Sequence, residues 1–146
     1  MGIGGVKMED RFKFRVFLKY NQIMYDIDSY CFLQGLNKCV FHFTNGGQKT
    51  LKNDDFILMQ CTRRKDKNGK LIYEEDIVRL KAKNGMTFDY AVKFKNYCFI
   101  LEYINGKLKG TKARDFAKQY AQPQKMYEHG YMVIGNIYEN PELLED

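Results

Sequence analysis

Between residues 11 and 126, carboxylate side chains lie next to one another at two places, Asp54-Asp55 and Glu74-Glu75-Asp76. Adjacent carboxylates can hold a divalent cation or divide acid and base work between them. Each group also has a structural interpretation, the first as a polar turn and the second as the start of a strand. The structural interpretation is favoured, because no Gly-rich phosphate loop or serine nucleophile motif accompanies the acids.

The cysteines and histidines do not form a recognisable metal or nucleophile motif. There is no Cys-x-x-Cys pair, and His42 and His129 are far from metal-ligand spacing. We therefore expect reduced thiols packed as small hydrophobic residues, without a zinc site. These thiols are Cys31, Cys39, Cys61 and Cys98. The prediction is a protein that is not an enzyme and that uses no metal or other cofactor.

Basic side chains form a denser pattern than the acids. The run Arg63-Arg64-Lys65 is followed by Lys67 and Lys70 in one predicted loop. Further basic residues recur at alternate positions of predicted strands and along a predicted helix. The candidate macromolecule-binding residues are Arg63, Arg64, Lys65, Lys67, Arg79, Lys81, Lys93, Lys112, Arg114 and Lys118, together with Tyr103.

Two interpretations of this basic pattern stay open. A positive groove with aromatic rings binds single-stranded nucleic acid in many proteins, and Tyr97, Tyr103 and Tyr120 are near enough in sequence to provide the rings. Alternatively, the lysines occupy solvated strand faces where they block edge pairing, and the tyrosines belong to the core. If nucleic acid is the ligand, reversing the charges weakens binding and flattens its salt dependence.

The charge is unevenly distributed along the chain, whose formal net charge is +6. Residues 1–126 hold all 24 Lys and Arg and 13 of the 18 Asp and Glu, a net charge of +11. Residues 127–146 hold five acids and neither Lys nor Arg. A basic body with an acidic tail indicates an anionic partner or a clasp between tail and body, unless the charge only maintains solubility.

Period-2 alternation predicts that most of the chain is β-structure. Phe12–Tyr20 and Thr87–Lys95 each alternate apolar with charged residues, which predicts strands with one solvated face. Tyr97–Ile104 is apolar on both faces apart from Glu102, and it is predicted to be a central strand. Weaker strand patterns occupy Tyr30–Leu33, Lys38–Phe43, Phe56–Cys61, Asp76–Lys81 and Tyr131–Ile134. Asn-Gly pairs predict hairpin turns at Asn45-Gly46, Asn68-Gly69, Asn84-Gly85 and Asn105-Gly106.

One helix is predicted over Thr111–Ala121, where apolar residues recur at the spacing of one helix face. Thr111 is a suitable N-cap, and Pro123 ends the helix. A shorter helical turn is predicted after Asn140, with Pro141 at the first helical position and Glu142 in the first turn.

The length of 146 residues is that of one domain, and 45% hydrophobic residues supply a sizeable core. No apolar run approaches the roughly 20 residues of a membrane span, and residues 1–10 do not form a secretion signal. We expect a cytoplasmic protein that does not bind membranes. Residues 1–10 are expected to be a flexible extension, with Met8 as an alternative start.

Two segments carry a family resemblance, Met59–Leu80 and Tyr131–Leu144. They hold the turn Lys65–Lys70, the central tract Ile72–Val78 and the closing tract Val133–Leu144. With the opening strand Phe12–Val16, this pattern resembles the YopX family, small proteins encoded mainly by phages and prophages. One departure is Glu75, where the family has Gly, so that a backbone suited to positive φ must accommodate Glu.

The residue patterns predict a mostly-β fold with one or two short helices, and the resemblance implies that the second half is an SH3-like barrel or roll. Residues 11–55 would form an N-terminal β-meander, and residues 56–146 an SH3-like barrel or roll with an inserted helix over 111–121 and an acidic tail. Such barrels bind macromolecules more often than they catalyse, although fold alone does not decide function. The resemblance also implies homo-oligomers. The expected partner is a host or defence-system protein complex such as a CRISPR nuclease; the alternative is nucleic acid.

Overall fold

The computed structural model of the protein describes residues 13–81, 85–106 and 130–145. These residues form ten β-strands and two 3₁₀ helices, and the strands build two antiparallel sheets. The prediction of a mostly-β protein is therefore confirmed. The predicted flexible extension at residues 1–10 lies outside the described residues.

The first sheet contains β1 (Phe14–Leu18), β2 (Ile23–Leu33), β3 (Lys38–Phe43), β4 (Gln48–Lys52), β5 (Phe56–Lys65) and β6 (Leu71–Tyr73), in the order β4-β3-β2-β1-β5-β6. The second contains β7 (Asp76–Lys81), β8 (Thr87–Lys95), β9 (Cys98–Gly106) and β10 (Met132–Asn136), in the order β10-β7-β8-β9. The 3₁₀ helices are Asn53–Asp55 and Pro141–Leu144. Neither sheet closes on itself within the described ranges, so the expected SH3-like barrel is not confirmed.

The chain divides into two compact units between Cys61 and Thr62, inside β5. The boundary expected from the sequence, before Phe56, falls at the start of this strand. Each unit has its own hydrophobic core. The core of the first unit is Val16, Leu18, Ile27, Cys39, Phe41, Phe43, Leu51 and Phe56. The core of the second unit is Ile72, Val78, Leu80, Phe88, Tyr90, Val92, Leu101 and Tyr131.

Strand β1 is buried on both faces, so the predicted solvated face is wrong. It pairs with β2 on one side and β5 on the other, which makes it an interior strand. Arg15 and Phe17, on the face expected to meet water, are both buried. The amphipathic pattern shows only which residues prefer the core; it does not show that the opposite face is covered too.

In the second unit, β8 runs over the predicted residues, but its charged face is not solvated at Asp89. This carboxylate is buried, because Arg79 on β7 lies directly across the ladder and forms an ion pair with it. Strand β9 was predicted to be central and lies at the edge of the sheet among the described residues. Glu102, the acidic residue of β9, forms an ion pair with Lys95 on β8. Both side chains of this pair are about half-exposed, as expected at the edge of a sheet.

The turn predictions hold at Asn45-Gly46 and Asn68-Gly69, whereas Asn84 of the third pair lies outside the described residues. Gly46, Gly69 and Gly85 have φ of 92°, 82° and 82°, values that glycine adopts without a steric penalty. The fourth pair does not form a turn, because Asn105-Gly106 belongs to β9. The 3₁₀ helix that begins at Pro141 confirms the predicted C-terminal turn. The predicted helix Thr111–Ala121, with Lys112, Arg114 and Lys118, lies outside the described residues.

Candidate nucleic-acid interface

Five basic side chains at the end of β5 and in the β5–β6 connection are exposed together. We call this set the basic turn; it consists of Arg63, Arg64, Lys65, Lys67 and Lys70. All five belong to the second unit. Among the described residues, no ion-pair partner contacts Arg64, Lys65, Lys67 or Lys70. Four cations are therefore available to an anionic ligand.

A backbone irregularity in β5 explains why three consecutive basic residues are exposed. Arg63 has a φ of 66°, a left-handed conformation that interrupts the alternation of a regular strand. Thr62 holds both sides of this irregularity: its hydroxyl donates to Ile72 O at 2.8 Å, and it accepts from Arg64 N at 3.2 Å. The run Arg63–Lys65 then lies outside the core instead of alternating into it.

Asp66 organises the turn that carries the remaining lysines. Its carboxylate is buried, and Oδ1 accepts hydrogen bonds from Asn68 N at 2.8 Å and Lys70 N at 2.9 Å. The backbone closes the same turn, since Asp66 N donates to Lys70 O at 2.8 Å and Gly69 N donates to Asp66 O at 3.0 Å. The acid in the middle of the basic sequence is thus turned inward and fully used by amides, while its basic neighbours point to solvent.

Strand β10 fixes this turn in place. Asp66 Oδ2 accepts a hydrogen bond from Val133 N at 3.0 Å, and Lys67 N donates to Tyr131 O at 2.9 Å. Tyr131 is buried in the core of the second unit. The basic turn is therefore preorganised, so that a ligand would find its backbone already ordered.

Two of the other predicted binding residues are held in ion pairs. Arg79 donates from Nε and Nη2 to both oxygens of Asp89, at 2.7 and 2.8 Å, and this bond raises the pKa of the guanidinium. Lys93 Nζ donates to Glu75 Oε2 at 2.6 Å. Both cations are paired with carboxylates of the same unit. Unlike the unpaired cations of the basic turn, they are therefore not available to an anionic ligand.

The remaining candidates are placed differently again. Lys81 is exposed at the end of β7. Tyr103 is partly buried and packs edge-on against Tyr90, with ring centroids 5.9 Å apart. Its ring belongs to the core packing and does not form an open stacking surface. Lys112, Arg114 and Lys118 lie in the segment that the structure does not describe.

The clustered acids lie in a 3₁₀ helix and in a turn between strands. Asp54 and Asp55 are exposed in the 3₁₀ helix before β5. Asp76 is buried and accepts a hydrogen bond from Tyr73 N at 2.8 Å, which closes the β6–β7 turn. Glu75 has a φ of 68°, in agreement with the glycine expected there. Its own backbone is fixed by Val92 O and Ile137 N, at 2.7 and 3.1 Å.

No group of three or more His, Cys, Asp or Glu side chains within 13–81, 85–106 and 130–145 is arranged to hold a metal ion. Cys39 and Cys61 are buried free thiols, as predicted, whereas Cys31 and Cys98 are exposed. Burial raises the pKa of the Cys39 thiol, which makes it a poor nucleophile. In the same ranges, no helix has the length and hydropathy that crossing a bilayer requires.

The closing tract of the chain forms a tight polar turn after β10. Asn136 Oδ1 accepts from Tyr138 N at 3.1 Å and Glu139 N at 2.9 Å, and Asn140 Oδ1 accepts from Asn136 N at 3.2 Å. Gly135 leaves the room for Asn140: a Cβ at position 135 would lie 2.8 Å from Asn140 Cγ. This tract folds back on β10.

Comparison with known proteins agrees with this architecture. The sequence model of the YopX protein family matches residues 13–145. The chain belongs to the YopX family. It is similar to protein EF1440 from Enterococcus faecalis, with 26% identity, a TM-score of 0.58 and coverage of 91% of this chain and 97% of that one. It is also similar to protein yopX from Bacillus subtilis, with 23% identity, a TM-score of 0.60 and coverage of 93% and 98%. No curated protein matches the chain.

The YopX resemblance predicted from the sequence is therefore confirmed, and the structure explains its two signature segments. In the first, Asp66 and Asp76 close turns and Glu75 takes a left-handed backbone. In the second, Asn136 and Asn140 build the closing turn. These YopX signature residues stabilise turns of the backbone. The basic side chains of the basic turn, by contrast, are exposed to solvent.

Sequence reasoning missed two features of this site. Asp66 was given no role within the turn Lys65–Lys70, although an Asp two residues before Asn-Gly is a common way to cap a turn. Lys70 was noted in the loop but was not among the candidate binding residues, and it is as exposed as Lys67. The available signal was the sequence Asp-Lys-Asn-Gly-Lys itself, since a capped turn exposes the residues that flank its acid.

Proposed function

We propose that this YopX-family protein is a non-catalytic binding protein that contacts the phosphate backbone of nucleic acid through the basic turn. The observation that carries the proposal is the burial of Asp66, whose carboxylate is used by three backbone amides while the basic side chains around it are exposed. Lysine ammonium and arginine guanidinium groups are the usual ligands of phosphate oxygens.

The absence of a catalytic role is part of the proposal. Its support is that two acids of the Glu74–Asp76 group are already engaged: Glu75 forms an ion pair with Lys93, and Asp76 accepts a hydrogen bond from Tyr73 N. A protein of this kind would act by occupying a nucleic acid, without changing it.

The experiment is fluorescence anisotropy of labelled DNA and RNA with a charge-reversed variant, Arg64→Glu/Lys65→Glu. A matched control is Lys38→Glu/Lys52→Glu, which reverses two exposed lysines that lie opposite each other on β3 and β4 of the first unit. Both double variants change the net charge equally. We expect the basic-turn variant to lose at least tenfold in affinity and the control to lose less than threefold. Equal losses in the two variants would show that only net charge matters, and would contradict a defined site.

A second candidate function is docking on a host or defence-system protein complex such as a CRISPR nuclease. The observation that favours it is an apolar end of the β2–β3 hairpin, where Phe32 and Leu36 are 52% and 63% exposed. In an interference assay with a co-expressed CRISPR nuclease, this function predicts protection of the target that Phe32→Ser/Leu36→Ser abolishes and Arg64→Glu/Lys65→Glu retains. Protection that persists in the Phe32→Ser/Leu36→Ser variant would contradict docking through this hairpin.

A further inference from the structure

We propose that Tyr97, at the tip of the β8–β9 hairpin, is a stacking platform for an unpaired base, so that the ligand of the nucleic-acid site is single-stranded. This inference rests on the proposed function and deepens it by choosing between duplex and single strand.

The hairpin tip is a two-residue turn. Lys95 pairs with Cys98 at the end of the ladder, which leaves Asn96 and Tyr97 as the turn residues. Both have positive φ, 50° and 65°, the combination of the type I′ turn that connects antiparallel strands most compactly. The turn therefore projects Tyr97 from the end of the β8–β9 ladder.

The ring of Tyr97 contributes nothing to the folded core. The residue is 98% exposed, and its side chain has no ring contact or hydrogen bond among the described residues. The second position of this turn favours glycine, and a residue with a Cβ costs roughly 1 kcal/mol there. Folding alone would favour glycine at position 97, so the aromatic ring is better explained by an intermolecular contact.

Several properties of the hairpin tip indicate that Tyr97 binds a nucleic-acid base and not an apolar pocket of a protein. Both faces of so exposed a ring are open, and stacking uses a face. The nearest aromatic pair, Phe94 and Phe99, packs edge-on with ring centroids 5.1 Å apart, and Phe94 is 48% exposed, so a second ring is open to a ligand near the tip. The flanking cation, Lys95, is held only by an exposed ion pair with Glu102, and such a pair exchanges readily for a phosphate.

A single strand of nucleic acid can contact both the β8–β9 hairpin tip and the basic turn, since both belong to the second unit. Glu75 N bonds Val92 O, which places the β6–β7 turn beside β8, and Tyr97 lies five residues farther along, roughly 17 Å at the rise of a β-strand. The basic turn precedes β6, which adds about 10 Å. OB-fold domains, which are also small and built of β-strands, bind roughly 4–16 nucleotides, enough to follow a path of this order.

The test measures the affinity of the full chain for a labelled oligo-dT of roughly 15 nucleotides and for a duplex of the same length. Tyr97→Gly removes the ring and suits the backbone of the turn, so that loss of folding does not confuse the result. Tyr97→Phe keeps the stacking surface. Tyr20→Ala is the matched control, because Tyr20 is another exposed tyrosine, in the first unit.

We expect Tyr97→Gly to weaken binding of oligo-dT at least fivefold and to leave duplex binding unchanged. Tyr97→Phe and Tyr20→Ala should bind as the unaltered protein does. Wild-type affinity of Tyr97→Gly for oligo-dT, or a preference for duplex, would overturn this inference and leave the proposed function standing, provided that Arg64→Glu/Lys65→Glu still loses affinity. No binding of either nucleic acid at low salt would overturn both.

Discussion

Asp66 and Val133 are separated by 67 positions, and the Asp66 carboxylate accepts a hydrogen bond from Val133 N at 3.0 Å. This bond joins the two signature segments of the family inside the second unit. It also explains how an acid can occur within a basic run without neutralising it: the carboxylate serves the backbone of β10 and of its own turn. Asp66 therefore holds β10 and also shapes the turn that exposes the candidate binding residues.

The first prediction concerns the stability that Asp66 provides. Asp66→Ala removes the acceptor of three backbone amides, and we expect the free energy of unfolding in urea to fall by about 2–4 kcal/mol. The control is Asp28→Ala, which removes an exposed carboxylate on β2 and should change stability by less than about 0.5 kcal/mol. Equal effects of the two variants would show that the amides find other partners.

The second prediction concerns the backbone of Glu75. Glu75→Gly and Glu75→Ala both lose the ion pair with Lys93, so the difference between them isolates the effect of φ at 68°. We expect the glycine variant to be more stable than the alanine variant by about 1 kcal/mol, measured by urea unfolding.

Thr50 is the control for this comparison, because it is exposed in the middle of β4. At an ordinary strand position the order reverses, and alanine should be the more stable by roughly 0.5–1 kcal/mol. The same order at both positions would contradict a left-handed conformation at Glu75.

The third prediction separates structural from binding cations. Arg79→Gln leaves the buried Asp89 carboxylate without its bidentate partner, and we expect the unfolding free energy to fall by about 1–3 kcal/mol. The affinity of the folded variant for nucleic acid should stay within threefold of the original, as measured by anisotropy below the melting temperature. A larger loss of affinity would place Arg79 in the binding surface.

The fourth prediction concerns the closing turn. Gly135→Ala brings a Cβ against Asn140 and to 3.0 Å from Leu143 Cδ1, so we expect a loss of about 1–3 kcal/mol in the free energy of unfolding. Asn140→Ala alone loses the bond to Asn136 N. If the contact between the new Cβ and Asn140 is the cause, Gly135→Ala/Asn140→Ala loses less unfolding free energy than the sum of the losses of the two single variants. Simple additivity would locate the cost elsewhere.

The fifth prediction concerns the thiols. Cys31 and Cys98 are exposed and should react with a thiol reagent within the mixing time, while Cys39 and Cys61 react only as fast as the protein opens. Burial raises the pKa of Cys39, so its contribution to stability is complete below the pKa of the unfolded thiol and is lost as the pH rises through the higher folded value. Reaction of all four thiols at one rate would contradict the two buried positions.

The sequence predicted most strands and turns because their signals are local. Alternation located β3, β7 and β8 at the right residues, and glycine at positive φ located turns at Gly46 and Gly69. The pattern failed where a partner elsewhere decides the outcome. Asp89 is buried because Arg79 lies across the ladder, and no local pattern contains that pairing.

The site was less predictable than the fold for the same reason. Charge density drew attention to Arg63–Lys65, but it gave equal weight to Lys93, whose partner Glu75 comes from a different turn. Tyr97 was assigned to the predicted strand Tyr97–Ile104 because that segment is apolar on both faces apart from Glu102. Only the register of β8 with β9, which pairs Lys95 with Cys98, reveals that Tyr97 is a turn residue.

The most direct test of the central claim is the salt dependence of nucleic-acid binding by the original protein and by Arg64→Glu/Lys65→Glu. If the basic turn contacts phosphates, the logarithm of the association constant for single-stranded DNA falls with the logarithm of salt concentration at a slope of about −3, for four or five contacts. The variant should show a slope about 1.4 units shallower, since two contacts are lost. Identical slopes for the two proteins would contradict the claim that these side chains hold the phosphate backbone.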